Sequence, residues 1–171
     1  MIGADEEMSG ERERQITSIT IAPTDELQAV RVLGVANGLD DSELPPGCDV
    51  SVWAARDAAG ELVGGVALEY GAALDVVHWL VVVERHRGRG VATRLLRVLE
   101  DEARRRGVRR LWTTARAPGV FFANGYHPVE EGAEHEMLFR DCISCPQYGH
   151  GCTPRVMVKE LGGGAVEGQE E

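Results

Sequence analysis

Between residues 73 and 106 the chain passes from a nearly unbroken apolar run, through a loop of arginine and glycine, into a stretch of helical periodicity. Ala73–Val83 is apolar except for Asp75 and His78, the pattern of a strand covered on both faces. The loop Arg87-Gly88-Arg89-Gly90-Val91-Ala92 follows. From Val91 to Arg106, Val91, Leu95, Leu99 and Ala103 share one helical face, with Ala92 and Leu96 beside them. Glu100–Arg104, Asp101–Arg105 and Glu102–Arg106 are acid-before-base pairs four apart, the favourable order on a helix, and Gly107 ends the stretch. A buried strand that turns through glycines into an amphipathic helix requires a layered α/β arrangement.

The remaining segments extend that layer. Ile16–Ile21 alternates and is rich in Ile and Thr, as a first strand would be. Thr24 is placed to cap a helix that opens with Asp25 and Glu26 and ends near Asn37-Gly38. A polar, proline-containing connection covers Asp40–Gly47. Val50–Arg56 and Glu61–Tyr70 form a strand pair about the turn residues Asp57–Gly60. Beyond the central helix the sequence predicts a strand at Arg109–Ala115, a short helix at Pro118–Asn124, and a closing strand pair, Ala133–Arg140 with Arg155–Leu161. The expected fold class is a mixed α/β sheet with helices on both faces. It occupies one domain over residues 16–161, with a cysteine-rich hairpin at 141–153. Polar or Gly- and Glu-rich tails at 1–15 and 162–171 are expected to be disordered.

A length of 171 residues is enough for one core without disulfides. No apolar run reaches bilayer length and the N-terminus lacks a secretory signal's apolar centre, so the expected location is the cytoplasm, without membrane contact. A net charge of −10 argues against nucleic acid as a partner. Ten of the eighteen Lys and Arg residues nevertheless fall between Arg85 and Arg110, a local patch suited to a small anionic ligand.

The glycine loop supplies the chemistry for such a ligand. At a helix N-terminus, unpaired backbone N–H groups converge, the helix dipole is positive, and glycines allow close approach of a phosphate. Arg87 and Arg89 can add charge-assisted donors. A tight solvated turn is the plainer alternative. The surrounding order of buried strand, arginine-bearing loop, amphipathic helix, further strand and aromatic turn favours the anion site.

The same stretch resembles motif A of the GNAT N-acetyltransferase superfamily, Arg/Gln-x-x-Gly-x-Gly/Ala after a central strand, with Arg87, Gly90 and Ala92 at the three fixed positions. Val120-Phe121-Phe122-Ala123-Asn124-Gly125-Tyr126 is similar to the family's downstream Phe-Tyr-x-x-x-Gly-Phe element. The resemblance spans roughly Ile16–Leu161. It implies a sheet that is mostly antiparallel and splayed at the cofactor site, acetyl-CoA as co-substrate, and a small-molecule amine or amino acid as acceptor. Pyrophosphate contacts would come from Arg87, Gly88, Arg89, Gly90, Val91, Ala92 and Thr93, and pantetheine would lie along Leu80–Val83 like an added strand.

Acetyl transfer needs a neutral amine, an N–H donor for the tetrahedral oxyanion, and a fate for the leaving thiolate. The resemblance assigns the oxyanion donor to the central strand at Val82 or its neighbour. Its usual thiolate acid, a tyrosine, is replaced by Phe121, which leaves Tyr126, a water or unassisted departure. Thr114 stands where the family often carries asparagine, and the resemblance places Thr114 and Phe121 with the cofactor-binding residues. Glu69 and His78 are the candidate bases, set against a solvated strand-end charge and a core histidine. The missing tyrosine also motivates a second reading, a noncatalytic acyl-CoA-binding or sensory domain.

Cys142, Cys145 and Cys152 fall within eleven residues, with His150 among them. That set could bind zinc tetrahedrally, either together or as three cysteines with another ligand. A redox-sensitive thiol pair and inert reduced cysteines are the alternatives. The Cys-x2-Cys-Pro run also resembles some short N-acetylglutamate-synthase-like members of the superfamily. That likeness implies a glutamate-like acceptor, with Arg116 or Arg140 to pair its carboxylate. A homodimer is the default expectation for the oligomer.

Overall fold

The computed structural model describes residues 18–143 and 145–162, with Asp141 by its backbone alone. The expected tails lie outside these residues apart from Gly162 and carry no structural account. Seven strands, β1 (Thr20–Thr24), β2 (Asp49–Arg56), β3 (Leu62–Tyr70), β4 (Asp75–Val82), β5 (Arg110–Ala115), β6 (His127–Pro128) and β7 (Arg155–Glu160), form one sheet in the order β1-β2-β3-β4-β5-β7-β6. Among the described residues four α-helices accompany it, α1 (Leu27–Ala36), α2 (Val91–Arg105), α3 (Gly119–Ala123) and α4 (Ala133–Ile143), with a 3-10 turn at Glu84–His86. Every pairing is antiparallel except β4 with β5, which run parallel and pair only at Val76 and Trp112. The sheet therefore parts between β4 and β5, and the parting positions the site. Among the described residues no helix is long and apolar enough to cross a membrane.

Helices cover both faces. Val91, Leu95, Leu96, Leu99 and Ala103 of α2 are buried against Val66 and Leu68 of β3, as their spacing predicts. On the other face Val30 of α1 packs with Ala67 and Trp79. Glycine in β3 permits that second contact: a Cβ on Gly65 would lie 2.8 Å from both γ carbons of Val30. The turn between β2 and β3 closes on Asp57, whose Oδ1 accepts from the amides of Ala59 and Glu61.

Several expectations are corrected. Among the described residues the first strand is Thr20–Thr24, later than the expected Ile16–Ile21, of which Ile16 and Thr17 lie outside them, and its pairing with β2 carries Thr24 in the ladder. Glu26, with no side-chain cap, then takes the N-cap position expected of Thr24. Residues 133–140 are helical, not a strand, because Leu138 and Phe139 pack on Val76, Trp112 and Val156 from above the sheet. The cysteines consequently follow a helix rather than decorate a hairpin, and β7 pairs with β5 and β6. On α2 only the Glu102–Arg106 pair forms as expected, at 3.1 Å. Glu100 faces inward, 4% exposed, and binds Lys159, while Arg104 and Arg105 reach back to Asp101 and Glu102.

Candidate active site

The parting of β4 from β5 begins with a bulge. Val81 pairs with Gly65 and His78 with Ala67, so Trp79 and Leu80 together oppose Val66. Trp79 adopts φ of 49°, a left-handed conformation costly for a bulky side chain. Burial of its ring and donation from its Nε1 to the Asp40 carbonyl at 3.2 Å hold it there. A bulge re-aims the residues after it, here Leu80 to Val82, toward the gap.

Two cavities occupy the gap. The first, about 600 Å³, is lined by Leu80 and Val82, by Arg87, Gly88, Gly90, Val91, Ala92 and Thr93 of the glycine loop and helix start, and by Asn37 and His86. Gly88 and Gly90 have φ of 73° and 81°, which L side chains adopt only under strain, and Gly90 is the N-cap of α2. That N-cap has no side chain to bond the first-turn amides, and the first intrahelical bond is Arg94 N–H to Gly90 O at 3.0 Å. The amides of Val91, Ala92 and Thr93 therefore precede the helical ladder beside the cavity. His86 Nδ1 is buried with no hydrogen-bond partner. The Arg87 guanidinium is partly committed: its Nε donates to the Val82 carbonyl at 2.8 Å and its Nη2 to Asn37 Oδ1 at 3.4 Å. It thus ties the end of β4 to the end of α1. Arg89 does not line the cavity.

The second cavity, about 300 Å³, meets the first at Leu39, Leu80, Arg116, Ala117 and Val120. Glu69 and His78 lie on its sheet wall, where His78 Nε2 is 2.9 Å from Glu69 Oε1. Thr114, Phe121, Met137, Leu138 and Tyr148 complete much of the rest. At the junction Arg116 donates to the Gly38 carbonyl and to Gln147 Oε1.

Most of the expected site residues converge on these two cavities. Tyr126 does not: it is 2% exposed, packs edge-on against Phe121, and its hydroxyl donates to Glu100 Oε1 at 3.3 Å on the α2 side of the sheet. Burial, then the Glu100 charge, push its phenol pKa far above the usual range. Cys142, Cys145 and Cys152 line the second cavity and are not joined in disulfides, whereas His150 is exposed and lines neither cavity. Among the described residues no three His, Cys, Asp or Glu side chains come together to hold a metal ion. The expected zinc set is therefore not assembled: helix α4 carries Cys142, and His150 turns outward between Gly149 and Gly151, both at positive φ. Sequence reasoning missed Asn37 and Trp79 as site residues. Asn37 was visible only as a helix end, and a bulge has no single-strand signature.

The sequence profile of the acetyltransferase (GNAT) family matches residues 20–127. An uncharacterized N-acetyltransferase of Chlorobaculum tepidum is 28% identical over 106 residues, 61% of this chain and 68% of that protein. Among solved structures, a Klebsiella pneumoniae protein assigned by inference to the acyl-CoA N-acyltransferases superposes with a TM-score of 0.63 at 25% identity, over 84% of this chain and 98% of that one. N-acetylglutamate synthase of Neisseria gonorrhoeae, complexed with coenzyme A and N-acetyl-glutamate, shares the fold at 19% identity with a TM-score of 0.62. The match covers 84% of this chain but 35% of the synthase.

Proposed function

Because this chain belongs to the GNAT family of acetyltransferases, we propose that it moves an acetyl group from acetyl-CoA in the first cavity to an amine in the second. The observation that carries this reading is the meeting of the two cavities at Leu80 and Val120, with an uncapped helix N-terminus on one side and the Glu69–His78 pair on the other.

The residues present fit the cofactor. Its pyrophosphate would take the amides of Gly88, Gly90, Val91, Ala92 and Thr93, with the α2 dipole adding to them. His86 Nδ1, without a partner, supplies a further polar contact. The acetyl thioester would lie by Leu80 and Val82, where β4 has no partner from β5 in register beyond Val76. Acetyl-CoA supplies the activated acyl carbon, and this chain's residues do the rest. A carboxylate at Glu69 would accept a hydrogen bond from His78 Nε2–H, which leaves Nδ1 as the basic nitrogen for the incoming ammonium. A strand N–H at Val82 or Leu80 meets the oxyanion. Phe121 cannot protonate the thiolate and Tyr126 is turned away, so the thiolate leaves unassisted or takes its proton from water.

The charge of the second cavity favours an amine without a carboxylate. Asp40 and Glu69 are its acidic groups, the Arg116 guanidinium is engaged by Gly38 and Gln147, and Arg140 does not line it. Leu39, Val120, Phe121 and Met137 give it an apolar wall. The chain would thus acetylate a small apolar amine in the cytoplasm, where acetyl-CoA is available. Competing acceptors test it. Release of CoA thiol should be faster with apolar primary amines than with glutamate, and a preference for glutamate would overturn the acceptor assignment.

A further inference from the structure

We propose that Cys142 and Cys145 form a redox-sensitive dithiol on the wall of the second cavity, closed to a disulfide by exchange with a small-molecule disulfide. Cys142 lies in the last turn of α4 and Cys145 just beyond it. The Cys145 amide donates to the Cys142 carbonyl at 3.1 Å. Such a turn between residues three apart keeps the two Cα atoms within about 7 Å. A disulfide bridges Cα separations of roughly 4.4–6.8 Å, so the backbone already brings the pair to bonding range. Both residues are half-buried and line the same cavity. Cys48 differs. It lies outside that wall, and burial followed by the Glu69 charge push its thiol pKa up, which suppresses the thiolate.

The exchange balances without a further reactant. One thiolate of the pair attacks a sulfur of the small disulfide, breaking its S–S bond and releasing one small thiolate. The second protein thiolate attacks the protein sulfur of the mixed disulfide, forming the Cys142–Cys145 bond and releasing the other small thiolate. Two protein thiols are oxidised, one small disulfide is reduced, and the two protons end on the released thiols.

The bond would tie the start of the segment 145–154 to the end of α4. That segment gives Cys145, Gln147, Tyr148, Cys152 and Pro154 to the cavity wall, and Gln147 accepts from Arg116 where the two cavities meet. The glycine loop lies on the other side of that junction. The same segment gives Gly151 to the first cavity, so oxidation acts mainly on acceptor use while the glycine-loop contacts to CoA persist. This last consequence rests on the acetyltransferase reading; the disulfide itself does not.

The full chain is incubated with oxidised glutathione, quenched with a maleimide and mapped by peptide mass. Cys142 and Cys145 are expected to disappear together into one intramolecular disulfide, while Cys48 remains alkylated. Cys142→Ser and Cys145→Ser should instead each retain a glutathione adduct on the surviving partner. A disulfide that maps to Cys48 or Cys152, or wild-type protein that keeps all four thiols, overturns the assignment. The wild-type map decides this even if a serine variant does not fold. In the oxidised protein, amine-dependent turnover should fall and return with a thiol reductant, while the thermal shift on adding CoA persists. Unchanged turnover in fully oxidised protein overturns the regulatory role, whereas loss of the CoA shift in reduced protein contradicts the acetyltransferase reading instead.

Discussion

Glu69 Oε1 lies 2.9 Å from His78 Nε2, joining adjacent strands β3 and β4 on the face where the second cavity opens. Ala67 opposes His78 and Val76 opposes Glu69, so the pair is a diagonal contact of the antiparallel ladder. The sheet register therefore fixes its geometry rather than a loop. Both side chains are half-buried, 23% exposed for His78 and 17% for Glu69.

If the carboxylate holds the imidazole in the tautomer that accepts the amine proton, Glu69→Gln keeps a hydrogen-bonding group but loses the charge. Steady-state assays should show kcat reduced about a hundredfold. KM for acetyl-CoA should stay unchanged. His78→Ala should lower kcat at least as far. A Glu69→Gln enzyme with wild-type kcat would remove the pair from the mechanism.

Gly90 tests the other cavity. No atom lies within 4 Å of a Cβ built there, so the objection to a side chain is conformational, at φ of 81°, together with intrusion on the cavity it lines. Gly90→Val should cost about 1–2 kcal/mol of stability. It should also raise the acetyl-CoA KM about tenfold, roughly 1.4 kcal/mol of binding. Thermal melts and initial rates check the two effects separately.

Arg87 is expected to act more through the protein than on phosphate. Its bond to the Val82 carbonyl closes the end of β4 at 2.8 Å. Arg87→Ala should lower stability by about 1 kcal/mol and weaken CoA binding, because the strand end is no longer tied. Arg87→Lys should recover little of either, since an ammonium lacks the fork that reaches Val82 and Asn37 together. Full rescue by lysine, measured by calorimetric titration with CoA, would argue for a simple charge effect.

Tyr126 gives a prediction in pH. Burial first, then Glu100, raise its folded-state pKa. A folded pKa above the unfolded one gives stability that is complete below about pH 10, where the unfolded phenol ionises, and is lost as pH rises beyond it. Tyr126→Phe should flatten the alkaline limb of stability in melts recorded from about pH 8 to about pH 11. Because the hydroxyl is bonded to Glu100 away from both cavities, the same variant should keep kcat within about twofold of wild type. A large loss of kcat would restore Tyr126 as the thiolate acid.

Much of this was legible in the sequence where the signal is local. The strand, glycine loop and helix from residue 73 to 106 are written in consecutive residues, and α2 runs from Val91 to Arg105 as its spacing requires. Helix α4 was not legible from its apolar residues, since Met137, Leu138 and Phe139 form a short run with no helical stripe. Its charges carried the signal instead, with Glu134 and Glu136 in the first turn and Arg140 in the last. Missing that helix turned a cysteine-bearing helix end into an imagined hairpin and encouraged a zinc set that does not assemble. The Trp79 bulge was invisible for a different reason. Two residues opposing one is a property of a pair of strands, not of either sequence alone.

As proposed, the two cavities are halves of one acetyl-transfer site. The most direct measurement follows free CoA thiol and N-acetylated product together, in one reaction of the full chain with acetyl-CoA and an apolar primary amine. Thiol and product should appear in equal amounts, dependent on the amine, and be suppressed together by Glu69→Gln. CoA binding accompanied by thiol release that no amine accelerates would contradict the proposal and leave a domain that holds the cofactor without transferring its acetyl group.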